Sequence, residues 1–520
     1  MGRLHQRTMS EMSFAELGLF EKVELDFGDD VEQGMTTEPP TKSRRTLAII
    51  YMLFMAEAIM ASGLQPQLQM LTDSGGVCGD FSASYVRSIL DYSYAFGGVA
   101  GMFWGWLSDR IGRRPVALTG MGGMLLCCVS MGFATNLVSC ALLRFVAGLV
   151  SSSTAVVSLT MIGDLSPSTS DRAVTVSRLP LVGLCGSVGP LVQGMVTRSL
   201  TAYGAVWARY PLLSSQITCG LLVLAIAVVV CLFLDETLPI LADHERSLSP
   251  MESERSAFLG PAASETPSIA IVDSTLPDPI SLRQMLRAPS LIILLSSFSL
   301  LSLHSSTFDT LLPHLGHSPT HHGGMGIPCS ILDVVTLCVR AVAAMLVLTT
   351  IPRLARNLGA LRPYQIFSIC FPAIYIVTPL FAYVASSSPM ATAISSGASL
   401  LFKNTLFSTA RVLVALLVLN ASPDVFSSGT IVGLMQTATV FKALAVAVTG
   451  ASFYFSPEVT VATTNLALWS VLVSVSLAGA CLAWFVRDRP TVNQDFPAEI
   501  LRWEMCFDAG AEAAGSMKAG

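Results

Sequence analysis

The chain has 520 residues, 52% of them apolar and only 12% charged, with a formal net charge of −5. Soluble domains carry about 25% charged residues, so an ordinary water-soluble fold is excluded, and the mild acidity, held largely in the tails and a central segment, gives no reason to expect a nucleic-acid partner. The twelve cysteines lie mostly in apolar runs without metal-ligand spacing, and no G-x-x-x-x-G-K-S/T loop occurs, so neither a metal, a cofactor nor ATP is expected.

Residues 1–45 are polar and lack the short apolar core and small-residue cleavage site of a signal peptide; they read as a cytoplasmic tail. A crossing helix needs about 20 mainly apolar residues, because hydrocarbon offers no partner to a free backbone amide. Such runs fall at Thr46–Leu68, Ser88–Leu107, Val116–Ala134, Cys140–Ile162, Leu179–Leu200 and Leu212–Leu234. Six more fall at Ser290–Leu312, Cys329–Ile351, Tyr364–Val384, Ala391–Leu419, Ser428–Tyr454 and Asn465–Val486. Between the sets, residues 235–288 are rich in Ser, Pro and Glu and too poor in large apolar residues to build a core. They read as a cytoplasmic linker between halves at 46–234 and 289–486, with 487–520 as a second tail.

Basic residues in short loops set the orientation. Arg44 and Arg45 precede the first span, Arg110, Arg113 and Arg114 follow the second, Arg172 and Arg178 the fourth, Arg353, Arg356 and Arg362 the eighth, and Arg487 and Arg489 the twelfth. Both termini are therefore expected in the cytoplasm, and the sequon Asn420-Ala421-Ser422 falls on the side where it would carry no sugar.

Ionisable residues inside a bilayer avoid lipid and face protein or water. The third, sixth, ninth and twelfth spans contain none, whereas Glu57, Asp91, Arg144, Asp309, Asp333, Arg340, Lys403, Arg411 and Lys442 occupy the first, second, fourth, seventh, eighth, tenth and eleventh. A repeat of six helices around a central polar cavity produces this period of three. The expected fold is an all-α membrane protein with twelve transmembrane helices in two pseudo-symmetric six-helix bundles.

After the second span the chain reads Gly105-Trp106-Leu107-Ser108-Asp109-Arg110-Ile111-Gly112-Arg113-Arg114-Pro115. Its glycines permit close helix approach and a tight turn, Asp109 can face a helix N-terminus, and the arginines anchor the loop on an anionic leaflet. This segment resembles the G-x-L-x-D-R-x-G-R-R loop of the major facilitator superfamily. A degenerate copy, Pro352-Arg353-Leu354-Ala355-Arg356-Asn357-Leu358-Gly359, aligns Gly359 with Gly112 and puts Arg356 in place of the aspartate, as parallel halves would. Arg144 to Gly148 resembles the family's R-x-x-x-G element. Gly186, Gly189, Pro190 and Gly194 resemble its antiporter element, with Gln193 where a glycine is usual, and Asp235 to Pro239 resembles an ending common in fungal members. The resemblance is to the fungal drug/proton antiporter and zinc-induced-facilitator-like branch; it implies alternating access and export of small organic molecules, drugs or a secondary metabolite.

Within that frame Glu57, in mid-span, is the candidate proton carrier, because access that alternates can load and release a proton on a buried carboxyl; the other reading is a structural hydrogen bond. Arg144 either tunes such an acid or anchors the outer surface. Asp91, four residues after Arg87, suits a local ion pair. Arg340, Lys403 and Lys442 converge on mid-membrane from three helices and suggest a cavity for a carboxylate-bearing or otherwise anionic substrate. His314, His317, His321 and His322 sit in an open loop and read as ordinary loop residues rather than a zinc site. The expected partners are a small-molecule substrate, a proton and the bilayer, for a monomer in the plasma membrane or, second, the vacuolar membrane. The alternatives are a facilitator or importer of a nutrient or metal chelator, and a membrane receptor that moves no solute.

Overall fold

The computed structural model describes residues 40–63, 83–166, 168–200, 210, 212–238, 282–317, 329–385, 389–422, 425–445, 447–449 and 466–486. Residues 1–39 and 487–520, most of the central segment, His321 and His322 lie outside them, as do the side chains of His314, His317 and Asp333. Two units are distinguished, Met1–Arg44 and Arg45–Gly520, and the description below concerns the second. Among the described residues there is no strand.

The described part of each expected span falls mainly on helix. The first is Pro40–Ser62, the third Arg113–Gly132, the fourth Leu137–Leu165 and the sixth Leu213–Phe233. In the second half the seventh is Pro289–His317, the eighth Cys329–Leu358, the ninth Leu361–Ala385, the tenth Pro389–Ala421 and the twelfth Leu466–Phe485. Among the described residues nine stretches are long and apolar enough to cross a membrane, those of the first, third, fourth, sixth, seventh, eighth, tenth, eleventh and twelfth spans.

The second, fifth and eleventh spans are broken. The fifth consists of Leu179–Gly186 and Val188–Leu200. Pro190 has no N–H for the Gly186 carbonyl and its ring crowds that group, so the helix parts at Ser187. The second runs Ala83–Gly97, a 3-10 turn Gly98–Ala100, then Gly101–Ile111, and the eleventh runs Val425–Ala438 into a 3-10 segment Thr439–Leu444. These two irregular turns touch: a Cβ added at Gly98 would lie 3.4 Å from Val440 Cγ2.

Packing follows the period of three. The third span packs on the fourth and sixth, and the twelfth on the seventh and ninth, so the principal partners of the third, sixth, ninth and twelfth lie within their own halves. Their outer faces carry exposed apolar rows, such as Leu221, Leu224, Val228 and Leu232 on the sixth and Ile366, Ile369 and Ile376 on the ninth. In water such rows would be a liability; in a bilayer they meet lipid at no cost. The halves meet chiefly where the second and fourth spans pack on the eleventh, with a smaller contact of the fifth on the eighth. The fourth span buries Ser151, Ser152, Ser153, Thr154, Ser158 and Thr160. Their hydroxyls bond carbonyls three or four residues back, which satisfies them without water.

Candidate functional site

At the arginine-rich end, Gly112 has φ 103°, a conformation open to glycine, and turns the second span directly into the third. Gly359 has φ 73° at the matching place of the second half. These are the two positive-φ glycines among the described residues, so the degenerate copy seen in the sequence shares a left-handed glycine between its helices.

The turn brings Asp109 and Arg113 into a buried network. Asp109 Oδ1 accepts from Gly429 N at 2.9 Å, and Oδ2 from Thr430 N at 2.7 Å and Thr430 Oγ1 at 2.6 Å, all on the eleventh span. Arg113, fully buried, donates to Asp109 Oδ1 at 2.6 Å, Ser428 Oγ at 2.9 Å and Asp164 Oδ2 at 3.3 Å. Glu236 accepts from the backbone N–H of Arg113 at 2.9 Å and of Arg114 at 3.0 Å, filling a helix N-terminus that has no side-chain cap of its own. Arg172 spans the halves independently, donating to Leu419 O at 3.4 Å and Asn420 Oδ1 at 3.3 Å. Together these contacts latch the two halves at this end.

Not every residue of the loop takes part. Arg110 lies apart, exposed, with its guanidinium 4.4 Å from the Trp106 ring centroid, and Arg114 reaches the Cys231 carbonyl at 3.3 Å. Asp164 and Glu236 complete the network, yet the sequence marks neither role. Asp164 stands just past the apolar limit of the fourth span, and Glu236 shows only as part of the ending of the sixth. In the second copy Arg356, among the described residues, bonds only its own helix, at Pro352 O, 3.2 Å.

Mid-span, Glu57 and Arg144 are joined through a third residue rather than directly. Tyr94 OH donates to Glu57 Oε1 at 3.5 Å and shares a hydrogen bond with Ser151 Oγ at 2.6 Å, while the Arg144 guanidinium lies 4.6 Å from the Tyr94 ring centroid. Arg144 itself donates to Met60 O at 2.7 Å and to Ala61 O, carbonyls in the last turn of the first helix, where a cation is favoured. The charges of Lys442 and Arg411 reach Glu57 from the second half. Arg87 Nε stands 3.8 Å from Asp91 Oδ2, the local pair that the spacing predicts.

The glycine-rich fifth span forms the floor of this region. A Cβ at Gly186 would overlap Ala58, and one at Gly189 would lie 3.1 Å from Ile59 Cγ2, so helix five closes on helix one beside Glu57. Pro190 makes the break described above, and Gly194 is half-buried one turn on. Gln193 is buried and accepts from Ser215 Oγ at 3.2 Å, a tie to the sixth span that a glycine could not make.

The three cations of the second half differ in their surroundings. Lys403 is fully buried and donates to Asp309 Oδ1 at 2.7 Å and Ser305 O at 3.2 Å. Sequence spacing gave no hint of this pairing, which commits Lys403 to a neighbour instead of leaving it bare in the cavity. Arg340 is exposed and Lys442 half-buried; neither has a hydrogen-bond or ion-pair partner among the described residues. Arg340 acts electrostatically on Asp91 and Lys403, and Lys442 on Glu57, which sets both toward the interior. Asp309→Asn is expected to destabilise the protein by about 2 kcal/mol, between exposed and fully buried pairs, because Lys403 is left buried without its counter-charge. Thermal unfolding in detergent checks this, and Asp309→Asn/Lys403→Met should recover most of the loss; a double variant as unstable as the single would mean the pair is not the cause.

Twin helical halves, crossing helices, and a latch and charged interior between the halves define a membrane transporter rather than an enzyme. The Major Facilitator Superfamily profile matches residues 47–447, and the chain belongs to that superfamily. It is 26% identical over 494 residues to the major facilitator-type transporter psiT2 of Psilocybe cyanescens, covering 87% of this chain and 92% of that protein. It is 24% identical to the multidrug transporter mfsB of Aspergillus fumigatus, with 78% of each chain covered. Among solved structures it resembles the human organic anion transporter MFSD10, with a TM-score of 0.61 at 16% identity over 86% of this chain and all of that one. The proton:xylose symporter XylE gives a TM-score of 0.59 at 13% identity, over 86% of this chain and 96% of that one. These similarities establish the fold and a multi-pass membrane transporter.

Proposed function

We propose that the protein exports small organic molecules by proton-coupled alternating access, with Glu57 as the proton site. The observation that carries this reading is the surroundings of Glu57. Its carboxyl lies within the first span, within reach of one neutral hydroxyl, Tyr94 OH at 3.5 Å, and of the charges of Lys442 and Arg411 from the opposite half. A carboxyl so placed changes its surroundings whenever the halves move relative to one another, and coupling requires only that its proton affinity differ between the two states.

In this reading the latch of Asp109, Arg113, Asp164 and Glu236 holds one state closed on the cytoplasmic side. Arg340 and Lys442 contact cargo, and the fifth-span glycines let the first span move against the fifth. Export is supported by relatives described as multidrug and efflux transporters, and the plasma membrane is the expected location. The test compares small molecules retained by cells making the wild type, Glu57→Gln or no protein, using untargeted mass spectrometry. The wild type should deplete its cargo, while Glu57→Gln, present in the membrane at equal amount, should leave it at the level of cells without the protein. Equal depletion by the variant would remove Glu57 from the mechanism.

A further inference from the structure

The hydroxyl that touches Glu57 belongs to a residue no motif pointed to. Tyr94 is 9% exposed, and its place is fixed by backbone: a Cβ at Gly148 would overlap Tyr94 O, and one at Gly97 would overlap Gly148. The second and fourth spans therefore cross in direct contact at this level. The ring lies beneath Arg144, which is tied to the last turn of the first span. With its oxygen held, the remaining freedom of the Tyr94 hydroxyl is rotation of one hydrogen, and it has one hydrogen to give.

Two acceptors compete for that hydrogen, Glu57 Oε1 at 3.5 Å and Ser151 Oγ at 2.6 Å. Ser151 in turn reaches Gly148 O at 3.4 Å. When Glu57 is ionised it can only accept, so Ser151 donates to Tyr94 and Tyr94 to the carboxylate. When Glu57 is protonated it becomes a donor to Tyr94, Tyr94 donates to Ser151, and the serine hydrogen turns to the Gly148 carbonyl at the crossing. One proton is gained at Glu57 and no other bond to hydrogen is broken; the rest is rotation of two hydroxyls.

We propose that Tyr94 is the positioning residue through which the protonation state of Glu57 passes to the fourth span, by reversing the hydrogen-bond chain Glu57–Tyr94–Ser151–Gly148. The proposal rests on Glu57 being the proton site. The other titratable or charged groups facing the chain are Lys442 and Arg411 toward Glu57, and Arg144 and Cys219 toward Tyr94; all stay in place in the variants below.

The test is a pH titration of the purified full-length protein by infrared difference spectroscopy, with the carboxyl C=O band assigned to Glu57 by its disappearance in Glu57→Gln. Tyr94→Phe keeps the ring under Arg144 and removes the hydroxyl. Without that donor the ionised form is disfavoured, so the midpoint should rise by about half to one pH unit, the worth of one net hydrogen bond, and the C=O band should move to higher frequency. Ser151→Ala should move both in the same direction by less, and its intact Tyr94 guards against a folding artefact in the first variant. An unmoved midpoint and band in Tyr94→Phe overturn the chain. Band shifts as expected, in a protein whose Glu57→Gln variant still depletes cargo, would leave the chain standing and dismiss Glu57 as the coupling site.

Discussion

Arg113→Ala should open the arginine-rich end and destabilise the protein by about 3–5 kcal/mol, because it strips two buried carboxylates of their shared counter-charge. The guanidinium is fully buried, and the Asp109 and Asp164 side chains are 3% and 6% exposed, so water cannot take its place. Thermal unfolding in detergent should show a much lower midpoint. Hydrogen exchange in Val425–Ala438 should rise, since the bonds from Gly429 and Thr430 to Asp109 hold that helix against the second span. Arg113→Met/Asp109→Leu/Asp164→Leu should recover much of the stability, as apolar replacements of buried ion networks do, without recovering transport. If Arg113→Ala unfolds like the wild type, the latch does not hold the halves.

The second large effect is expected from a single methyl group. A Cβ at Gly105 would overlap Gly429 O and lie 3.1 Å from Gly433 Cα, and one at Gly433 would meet Gly101 O at 2.5 Å. Backbone meets backbone here, so no side chain can swing away. Gly105→Ala must push the second and eleventh spans apart at a cost of about 1–3 kcal/mol, and Asp109 moves with them. Spin labels on Ile111→Cys and Ala421→Cys, in a background without the exposed native cysteines, should report longer and broader distances. Gly122→Ala, where nothing lies within 4 Å of the added atom, serves as the comparison and should gain about 0.5–1 kcal/mol from the better helix former. Equal distances in Gly105→Ala and wild type would show that the crossing has slack.

Local features of the fold were legible from sequence and convergent ones were not. Each span announces itself because twenty apolar residues are a contiguous signal, and the neutrality of the third, sixth, ninth and twelfth spans anticipated their outward faces. The Gly112 turn was readable because its residues are adjacent. Asp164 and Glu236 were not, since their meeting with Arg113 joins three places in the chain. The 3-10 turn at Gly98–Ala100 contains no proline, and what marks it is a neighbour on the eleventh span. Lys403 illustrates the same limit, since burial in the span was visible but the partner that neutralises it was not. Tyr94 looked like any aromatic in an apolar run until Glu57, Ser151 and Arg144 surrounded it.

The two halves inherited the same glycine bend, at Gly112 and Gly359, yet only the first places a carboxylate beside it. A door made from two matching leaves thus has its bolt on one leaf. A mishap at Asp109 is not absorbed by its counterpart, since Arg356, among the described residues, grips only its own coil. In the cycle proposed above the matching bends let both leaves rock alike, and the one position at which they differ sets which end is held shut.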